Sequence, residues 1–526
     1  MTKKLKLGTR RSLLAMAQSA WVAREIERAN PATSVELVGI ETQGDRIVDV
    51  PLRQVEGKEF FVAELDQALT RGEVDFTVHS MKDLSLERPT AIRLGAIPQR
   101  ENSRDIVLFR PEVMEKLRAG ETLQIGTSSP RRLENIPPFL RQALPRFSTG
   151  GSTGTPPLLA FEEIRGNVNT RLRRVREPSS SPRALDGVVL ALAGLARLWA
   201  DEAGRRELSE LLRGLRWMVL PLKENPTAPA QGALAIECRA DDDATWAMLR
   251  KIHHVPTEQE VSRERAVLAQ YGGGCHQRFG ASAVAHARLG NILYIQGKKS
   301  NGEPCDEVRW PAPPAREAGG VSWDGTQARA KSMGENRLTD LRHWDTGWKA
   351  GAVFVAHSRA MPQPWPVTWP HPEELFFFTS GTPSWFRLAE LGYWVNGSAE
   401  QMGFDFLRPL LEQPVLSMPA ASHWVVLTHD DAADSWGTAW PGSHVIPTYH
   451  VDTTHANDAA IASLGQAKHV FWGSGSQFRA LRSKCAKNAV HACGPGQTAE
   501  TLADASVPAL VFPSVEEWRK WVSSHE

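Results

Sequence analysis

Lys4-Leu5-Lys6-Leu7-Gly8-Thr9-Arg10-Arg11-Ser12 decides how the first part of the chain is read. Lys4–Thr9 alternates polar and apolar residues with the period of a strand. Ser12 then precedes Leu13, Leu14, Ala17, Trp21, Val22 and Ile26 at helical spacing, where its hydroxyl can cap the helix. A strand that ends at such a helix start gathers unpaired backbone N–H groups, a hydroxyl and guanidinium forks at one point. Working outward, Ser34–Thr42 is rich in β-formers, and Phe60–Leu69 places Phe61, Leu65 and Leu69 on one helical face. Asp75–His79 reads as another strand. This alternation predicts an α/β domain with a mostly parallel sheet.

A second α/β unit begins near Leu123-Gln124-Ile125-Gly126 and runs to about Leu212, with Gly187–Ala191 as a strand. Gln231–Cys238 is a short apolar strand that returns to the first unit. Leaving a domain and coming back makes two crossovers, and such hinged lobes bind ligands in the cleft between them. From about Asp241 a smaller α+β piece is expected, with Val261, Ala266 and Val267 on its helix and strands around Ile292–Ile295. The run Ser148–Pro157 reads as a mobile Gly/Ser/Thr/Pro loop, and Pro178–Pro182 as a polar insert. Arg309–Asp345 is polar and poorly patterned. Fourteen of the 18 tryptophans lie beyond residue 300, which marks residues 350–526 as a separate unit. Inside it, Phe376-Phe377-Phe378-Thr379-Ser380-Gly381 and Val470-Phe471-Trp472-Gly473-Ser474-Gly475 echo each other as strand, small-residue turn and helix start.

A chain of 526 residues exceeds one core and implies about three to four domains. Its net charge of +1 argues against non-specific nucleic-acid binding, so any anion site is local. No run of about 18 apolar residues predicts a membrane span. The basic start Met1–Leu7 lacks a following apolar core and reads as the first strand, not a signal peptide. The five cysteines, Cys238, Cys275, Cys305, Cys485 and Cys493, are odd in number and widely spaced. That fits a reduced cytoplasm better than a disulfide framework, and no metal site is expected.

The anion-binding signal is repeated. Gly126-Thr127-Ser128-Ser129-Pro130-Arg131-Arg132 closes a strand at a helix start, as Gly8–Ser12 does. Arg165, Arg171 and Arg197 follow in similar settings. Taken singly these arginines fit surface ion pairs; as a set they follow strand ends, the edge where open α/β sheets bind ligands. His79-Ser80-Met81-Lys82-Asp83 adds a carboxylate beside a cation, with His79 read as structural. Gly272-Gly273-Gly274-Cys275 presents a thiol on a backbone able to bend into a cleft. A thiol nucleophile and an acid able to protonate a leaving group are the kit of a covalent transferase.

Residues 1 to about 310 closely resemble the hydroxymethylbilane synthase (porphobilinogen deaminase) family. The resemblance rests on Val78–Asp83, Gly126–Ser129 with Arg131-Arg132, Arg165–Val168 with Thr170-Arg171, Ala230–Ala233 with Ile236–Arg239, and Gly273-Gly274-Cys275. It implies head-to-tail linkage of four porphobilinogen molecules, with release of ammonia, to give hydroxymethylbilane. A dipyrromethane cofactor would be held by a thioether to Cys275. Asp83 would be catalytic, assisting loss of the amino group and stabilising cationic pyrroles. Arg10, Arg131, Arg132, Arg165, Arg171 and Arg197 would bind acetate and propionate groups, with Ser12, Lys58, Lys82, Thr127, Ser128 and Ser129 as further donors.

The resemblance also implies two hinged periplasmic-binding-protein-like α/β domains, 1–108 with 216–239 and 109–215, and a small α+β domain, 240–330, that carries the cofactor cysteine. Departures from the family pattern are Gln43, Glu59, Ala63, Ala230, Gln277-Arg278 and the 148–157 insert; Gln43 and Ala63 bear on elongation. The tail, 350–526, resembles uroporphyrinogen-III synthase through His444–Tyr449, Val470–Ser476 and Ala492–Leu502, an α/β unit of two lobes. Tyr449, Ser474, Ser476 and Thr498 are its candidate site residues. Partners would be porphobilinogen and the growing oligopyrrole, with no nucleic acid or membrane, for a cytoplasmic monomer. Two other readings fit the same features: a non-catalytic two-lobed anion-binding protein, and a deaminase whose degenerate tail only scaffolds it.

Overall fold

A computed structural model describes residues 3–42, 62–147, 154–272, 277–313, 321–325, 350–450 and 458–523. Gln43, Lys58, Glu59, Cys275 and 148–153 of the predicted loop lie outside the described residues. The chain divides into two compact units. The first comprises residues 1–141, 156–284 and 293–307, and the second comprises 142–155, 285–292 and 308–526. Each is described by itself.

In the first unit, β1 (Lys3–Arg10) leads into α1 (Leu13–Ala29), and β2 (Thr33–Ile40) returns parallel to β1 with Leu5 opposite Val35 and Leu7 opposite Leu37. Ser12 caps α1 as expected: its Oγ accepts from the Ala15 N–H at 3.3 Å. Helix α2 (Ala63–Thr70), β3 (Phe76–Ser80) and β4 (Ile92–Ala96) follow. The second lobe contains β5 (Asp105–Phe109), β6 (Leu123–Gly126), α3 (Pro130–Ala143), β7 (Leu159–Glu162), α4 (Val168–Arg176), β8 (Gly187–Ala191), α5 (Leu192–Ala200) and β9 (Arg216–Val219). The chain then re-enters the first lobe as β10 (Leu234–Arg239). The strand orders are β2-β1-β3-β10-β4 and β7-β6-β8-β5-β9. Leu5, Leu7, Val22, Ile26, Phe76 and Ile236 pack the first core at 0–1% exposure. Each such side chain contributes roughly 1.5–3 kcal/mol of burial.

The lobe boundaries differ from those expected. β5 begins at Asp105, not beyond 108, because it pairs antiparallel with both β8 and β9. β9 lies in the second sheet, whereas the family resemblance implies that 216–239 belongs wholly to the first lobe. The crossovers are therefore 97–104 and 220–233. They approach backbone to backbone, with the Glu101 N–H donating to the Gly232 carbonyl at 3.0 Å. A Cβ on Gly232, whose φ is +87°, would stand 2.5 Å from the Glu101 oxygen, so only glycine fits. Two residues earlier, Ala230 holds φ +64° where the family pattern has glycine.

The predicted α+β piece is α6 (Val255–Gln270) beside a three-stranded sheet of β11 (Arg278–His286), β12 (Gly290–Lys298) and β13 (Pro304–Arg309). Glu264 of α6, 0% exposed, ties this piece to the crossovers. Its carboxylate accepts from Arg100 at 2.9 and 3.1 Å, from the Ala230 N–H at 2.6 Å and from the Ala283 N–H at 2.8 Å.

The second unit contains β14 (Ser322–Asp324), β15 (Ala352–Val355), β16 (Phe376–Thr379), α7 (Thr382–Glu390), β17 (Gly397–Ser398), β18 (Trp424–His429), β19 (His444–Tyr449), β20 (His469–Trp472), α8 (Gly475–Leu481), β21 (Val490–Cys493), α9 (Gln497–Asp504) and β22 (Ala509–Val511). Two parallel sheets form, β17-β16-β15-β18-β19 and β14-β20-β21-β22. The echo between Phe376–Gly381 and Val470–Gly475 is real: each runs from a strand, β16 or β20, into a helix, α7 or α8. The poorly patterned stretch 309–345 hides β14, which pairs with β20, so this unit starts before the expected 350. Trp323 of β14 is fully buried edge-on against Trp472, with centroids 5.5 Å apart. Trp385, Trp424 and Trp518 are also buried, which accounts for the shift in composition: tryptophan fills these cores.

Candidate active site

β3 ends at Ser80, and a 3₁₀ turn, Met81–Asp83, brings the chain round. Met81 anchors the turn: it is buried, and its N–H donates to the Ala233 carbonyl at 3.0 Å. That leaves Asp83 exposed at the end of the turn and Lys82 half-buried beside it. Burial lowers the Lys82 pKa, Asp83 opposes that shift, and Arg132 and Arg131 add to it. The amine is thus poorly solvated and lies in a field of other cations.

In the second lobe the turn Thr127–Ser129 joins β6 to α3. The Thr127 hydroxyl accepts from the Ser129 N–H at 3.3 Å, and the Ser129 carbonyl accepts from the Leu133 N–H at 3.1 Å. Arg131 and Arg132, in the first turn of α3, point inward and are almost fully buried. They converge on Asp105, the first residue of β5 and 0% exposed. Arg131 Nη2 donates to Asp105 Oδ2 at 2.8 Å and Nη1 to the Pro226 carbonyl at 3.0 Å. Arg132 donates to Asp105 from Nη2 at 2.7 Å and Nε at 3.2 Å, and to the Val189 carbonyl at 2.9 Å. Burial alone would raise the Asp105 pKa, yet the two arginines hold it below the usual carboxylate range. Both guanidinium planes are therefore locked by the protein. Asp105 was missed in the sequence; the signal was an acid opening an otherwise apolar strand, Asp105-Ile106-Val107-Leu108-Phe109.

Arg165 and Arg171 flank the N-terminus of α4, where Asn167 caps by accepting from the Thr170 N–H at 3.0 Å. Arg171 Nε donates to the Gly166 carbonyl at 2.8 Å. Burial, together with Arg132 and Arg165, lowers the Arg171 pKa to about 10, and Asp83 partly offsets them. Asp83, Lys82, Arg131, Arg132, Arg165 and Arg171 thus share one electrostatic neighbourhood. Arg197 is placed differently: it donates to the Gly232 carbonyl at 2.6 Å and has Glu101 and Arg100 as charged neighbours. Arg10, at the end of β1, acts on His79.

His79 is buried and hydrogen-bonded to Thr77 Oγ1 at 3.1 Å. Its ring, Asp66 and Glu237 come close enough to hold a cation. Arg88 already fills that role, donating to Asp66 at 2.7 Å and to Glu237 at 2.7 and 2.9 Å. Burial, Arg88 and Arg10 push the His79 pKa down to about 3, so it stays neutral as a structural residue.

The donor set suits a ligand that carries several carboxylates. Among the described residues, five cations (Lys82, Arg131, Arg132, Arg165 and Arg171) neighbour two carboxylates, and one of these, Asp105, is consumed internally. Arg165 Nε and Nη2 and Arg131 Nε are buried and have no hydrogen-bond partner among the described residues. Such donors suit the acceptor groups of an anionic ligand.

In the second unit, Tyr449 ends β19 and is 9% exposed; burial pushes its pKa up to about 12, Arg359 opposing. Its ring lies 5.6 Å from that of His429, the last residue of β18. Ser474 caps α8 by accepting from the Gln477 N–H at 3.1 Å, and its Oγ is 3.1 Å from Ser476 Oγ. Thr498 stands in the first turn of α9. Arg479 of α8 lies within electrostatic reach of His429.

Comparison with known proteins bears on the first unit. Residues 5–247 match the family model described as "Porphobilinogen deaminase, dipyromethane cofactor binding domain". The chain is 38% identical to the porphobilinogen deaminase of Brevibacillus brevis over 282 residues, 53% of this chain and 80% of that protein. With the Geobacter metallireducens enzyme it shares 40% identity over 297 residues, 56% of this chain and 81% of the relative. With that of Trichlorobacter lovleyi it shares 36% over 316 residues, 58% and 90% respectively. Among the described residues, no helix is long and apolar enough to cross a membrane. With an arginine-lined site of matching chemistry and relatives covered over four-fifths of their length, the chain belongs to the porphobilinogen deaminase family.

Proposed function

We propose that this chain joins four porphobilinogen molecules head to tail into hydroxymethylbilane, with Asp83 as the catalytic carboxylate and Cys275 as the attachment point of the dipyrromethane. The observation that carries the reading is the setting of Asp83, an exposed carboxylate among Lys82, Arg132, Arg165 and Arg171, with buried guanidinium donors still lacking acceptors. When bound, the cofactor supplies the pyrrole terminus on which the chain grows. Arg131, Arg132, Arg165 and Arg171 bind carboxylates and fix ring position. Ser128, Ser129 and the turn that holds Thr127 add donors at the start of α3. Asp83 steadies the positive charge that spreads onto pyrrole nitrogen as ammonia leaves, a preorganised electrostatic role. Lys82, beside that carboxylate, contributes to the anion site.

For the C-terminal unit we propose a uroporphyrinogen-III synthase-like role that uses Tyr449, Ser474, Ser476 and Thr498. Its two parallel-sheet lobes, entered and re-entered by the chain, and the approach of Arg479 to the β18–β19 edge support it. Fusion would place consecutive steps on one chain, where proximity limits spontaneous closure of the linear product to the wrong isomer.

Intact-mass measurement tests the first reading. The purified chain should carry the mass of a dipyrromethane, and Cys275→Ser should lose it; a polypeptide that stays unmodified after exposure to porphobilinogen is instead the two-lobed binding protein. Asp83→Asn should keep the cofactor and lose most turnover. Product analysis tests the second: the type III isomer supports the synthase, and type I from an active deaminase leaves the tail as a scaffold.

A further inference from the structure

Gln231 belongs to a run, Ala230-Gln231-Gly232-Ala233, that marks the family resemblance but takes no part in the chemistry described above. It sits on the second crossover, 1% exposed, with every polar atom of its side chain engaged. Nε2 donates to the Ser103 carbonyl at 2.7 Å, on the other crossover, and to Asp105 Oδ1 at 2.8 Å, in the second lobe. Oε1 accepts from Lys82 Nζ at 3.3 Å, in the first lobe. The backbone is equally held: the Gln231 N–H donates to the Ala228 carbonyl at 2.9 Å, and the Gln231 carbonyl accepts from Arg100 at 2.7 Å. The amide has one satisfactory orientation, because its nitrogen faces two acceptors and its oxygen faces an ammonium.

We infer that Gln231 is a positioning residue that couples the two lobes, setting Lys82 and its neighbour Asp83 against the Asp105-held pair Arg131 and Arg132. This rests on the deaminase reading and deepens it. One rigid amide spans the hinge and touches both the lysine beside the catalytic carboxylate and the carboxylate that orients the arginines. A site that must accept a lengthening chain with a fixed set of catalytic groups needs a defined relation between its lobes at each step. Glutamine is the side chain that can donate to Asp105 and accept from Lys82 without adding charge. Leucine would sever both links. Glutamate would keep the lysine and set a second carboxylate against Asp105.

The test uses the full, cofactor-loaded chain and the variants Gln231→Leu and Gln231→Glu. Wild-type turnover of porphobilinogen is the control: its absence overturns the deaminase reading itself, not this inference. In Gln231→Leu, kcat should fall by about tenfold or more through loss of alignment. KM should move by less than about threefold, since the side chain is out of reach of substrate. Intact mass under limiting porphobilinogen should show that variant stalled with extra pyrrole units still attached. In Gln231→Glu, the ratio of kcat to wild type should rise as pH falls, because a protonated carboxyl regains a donor to Asp105. A merely structural role would not produce that pH signature. Wild-type kcat and no stalled species in the leucine variant, or a flat pH ratio in the glutamate variant, overturns the proposal.

Discussion

Arg132 and Asp105 meet at two points, with Nη2 2.7 Å from Oδ1 and Nε 3.2 Å from Oδ2, and both side chains are buried. Arg131 completes the group, its Nη2 donating to Oδ2 at 2.8 Å. Two guanidinium groups thus share one anion, which leaves excess positive charge at this point. Asp105→Asn keeps the shape and removes the charge that balances both arginines. Breaking a buried ion pair from one side costs about 3–5 kcal/mol. The expected outcome is a loss of that size for the first unit, read from urea unfolding followed by circular dichroism. A loss under about 1 kcal/mol would mean that the arginines are balanced by something other than Asp105.

Acid should destabilise the first unit through His79. Its pKa is pushed down to about 3 in the fold from an unfolded value near 6.5, so the unfolded chain binds the extra proton between those values. Stability is then fully present above pH 6.5 and falls as pH drops toward 3. At about 1.4 kcal/mol per unit, lowering pH from 6.5 to 5 removes roughly 2 kcal/mol. His79→Gln removes that slope; an unchanged slope in the variant would place the sensitivity elsewhere.

Ala230 combines two opposing effects. Its φ of +64° costs a residue with a Cβ about 1–2 kcal/mol, which Gly would recover. Its methyl is 0% exposed in a cluster with Val62, Met81, Leu84 and Ile97, and removing it loses about 0.8 kcal/mol, with a similar loss from the looser unfolded chain. Ala230→Gly should therefore shift stability by less than about 1 kcal/mol, whereas Ala230→Val, β-branched at positive φ, should cost more than about 2. Equal effects from the two would show that backbone conformation does not matter there.

The sequence made the local elements of the first unit legible. Ser12 caps its helix, β1 and β3 fall within a residue of expectation, and Lys82 and Asp83 stand beside the β3 end. These follow from period and capping, which are local. The lobe boundaries were missed because they depend on which sheet a strand joins: the apolar runs at Asp105–Phe109 and Arg216–Val219 fit either. β14 was missed because three residues, Ser322–Asp324, give too short a pattern to stand out from polar surroundings. The arginines were legible as a set, but their division of labour was not. Whether Arg132 faces a ligand or Asp105 depends on a residue 27 positions away.

Arg165 separates binding from folding most cleanly. Its Nε and Nη2 are buried without a hydrogen-bond partner among the described residues, and its charge raises the cost of Arg171 nearby. Removing it relieves desolvated donors and like-charge repulsion, so Arg165→Gln should leave the melting temperature of the first unit unchanged or raise it. The same variant loses a charge-assisted bond to a substrate carboxylate, worth about 1.5–3 kcal/mol, which is roughly a 10- to 150-fold rise in KM for porphobilinogen. A lower melting temperature with unchanged KM would reverse the assignment and make Arg165 a structural ion-pair partner instead of a ligand for the growing chain.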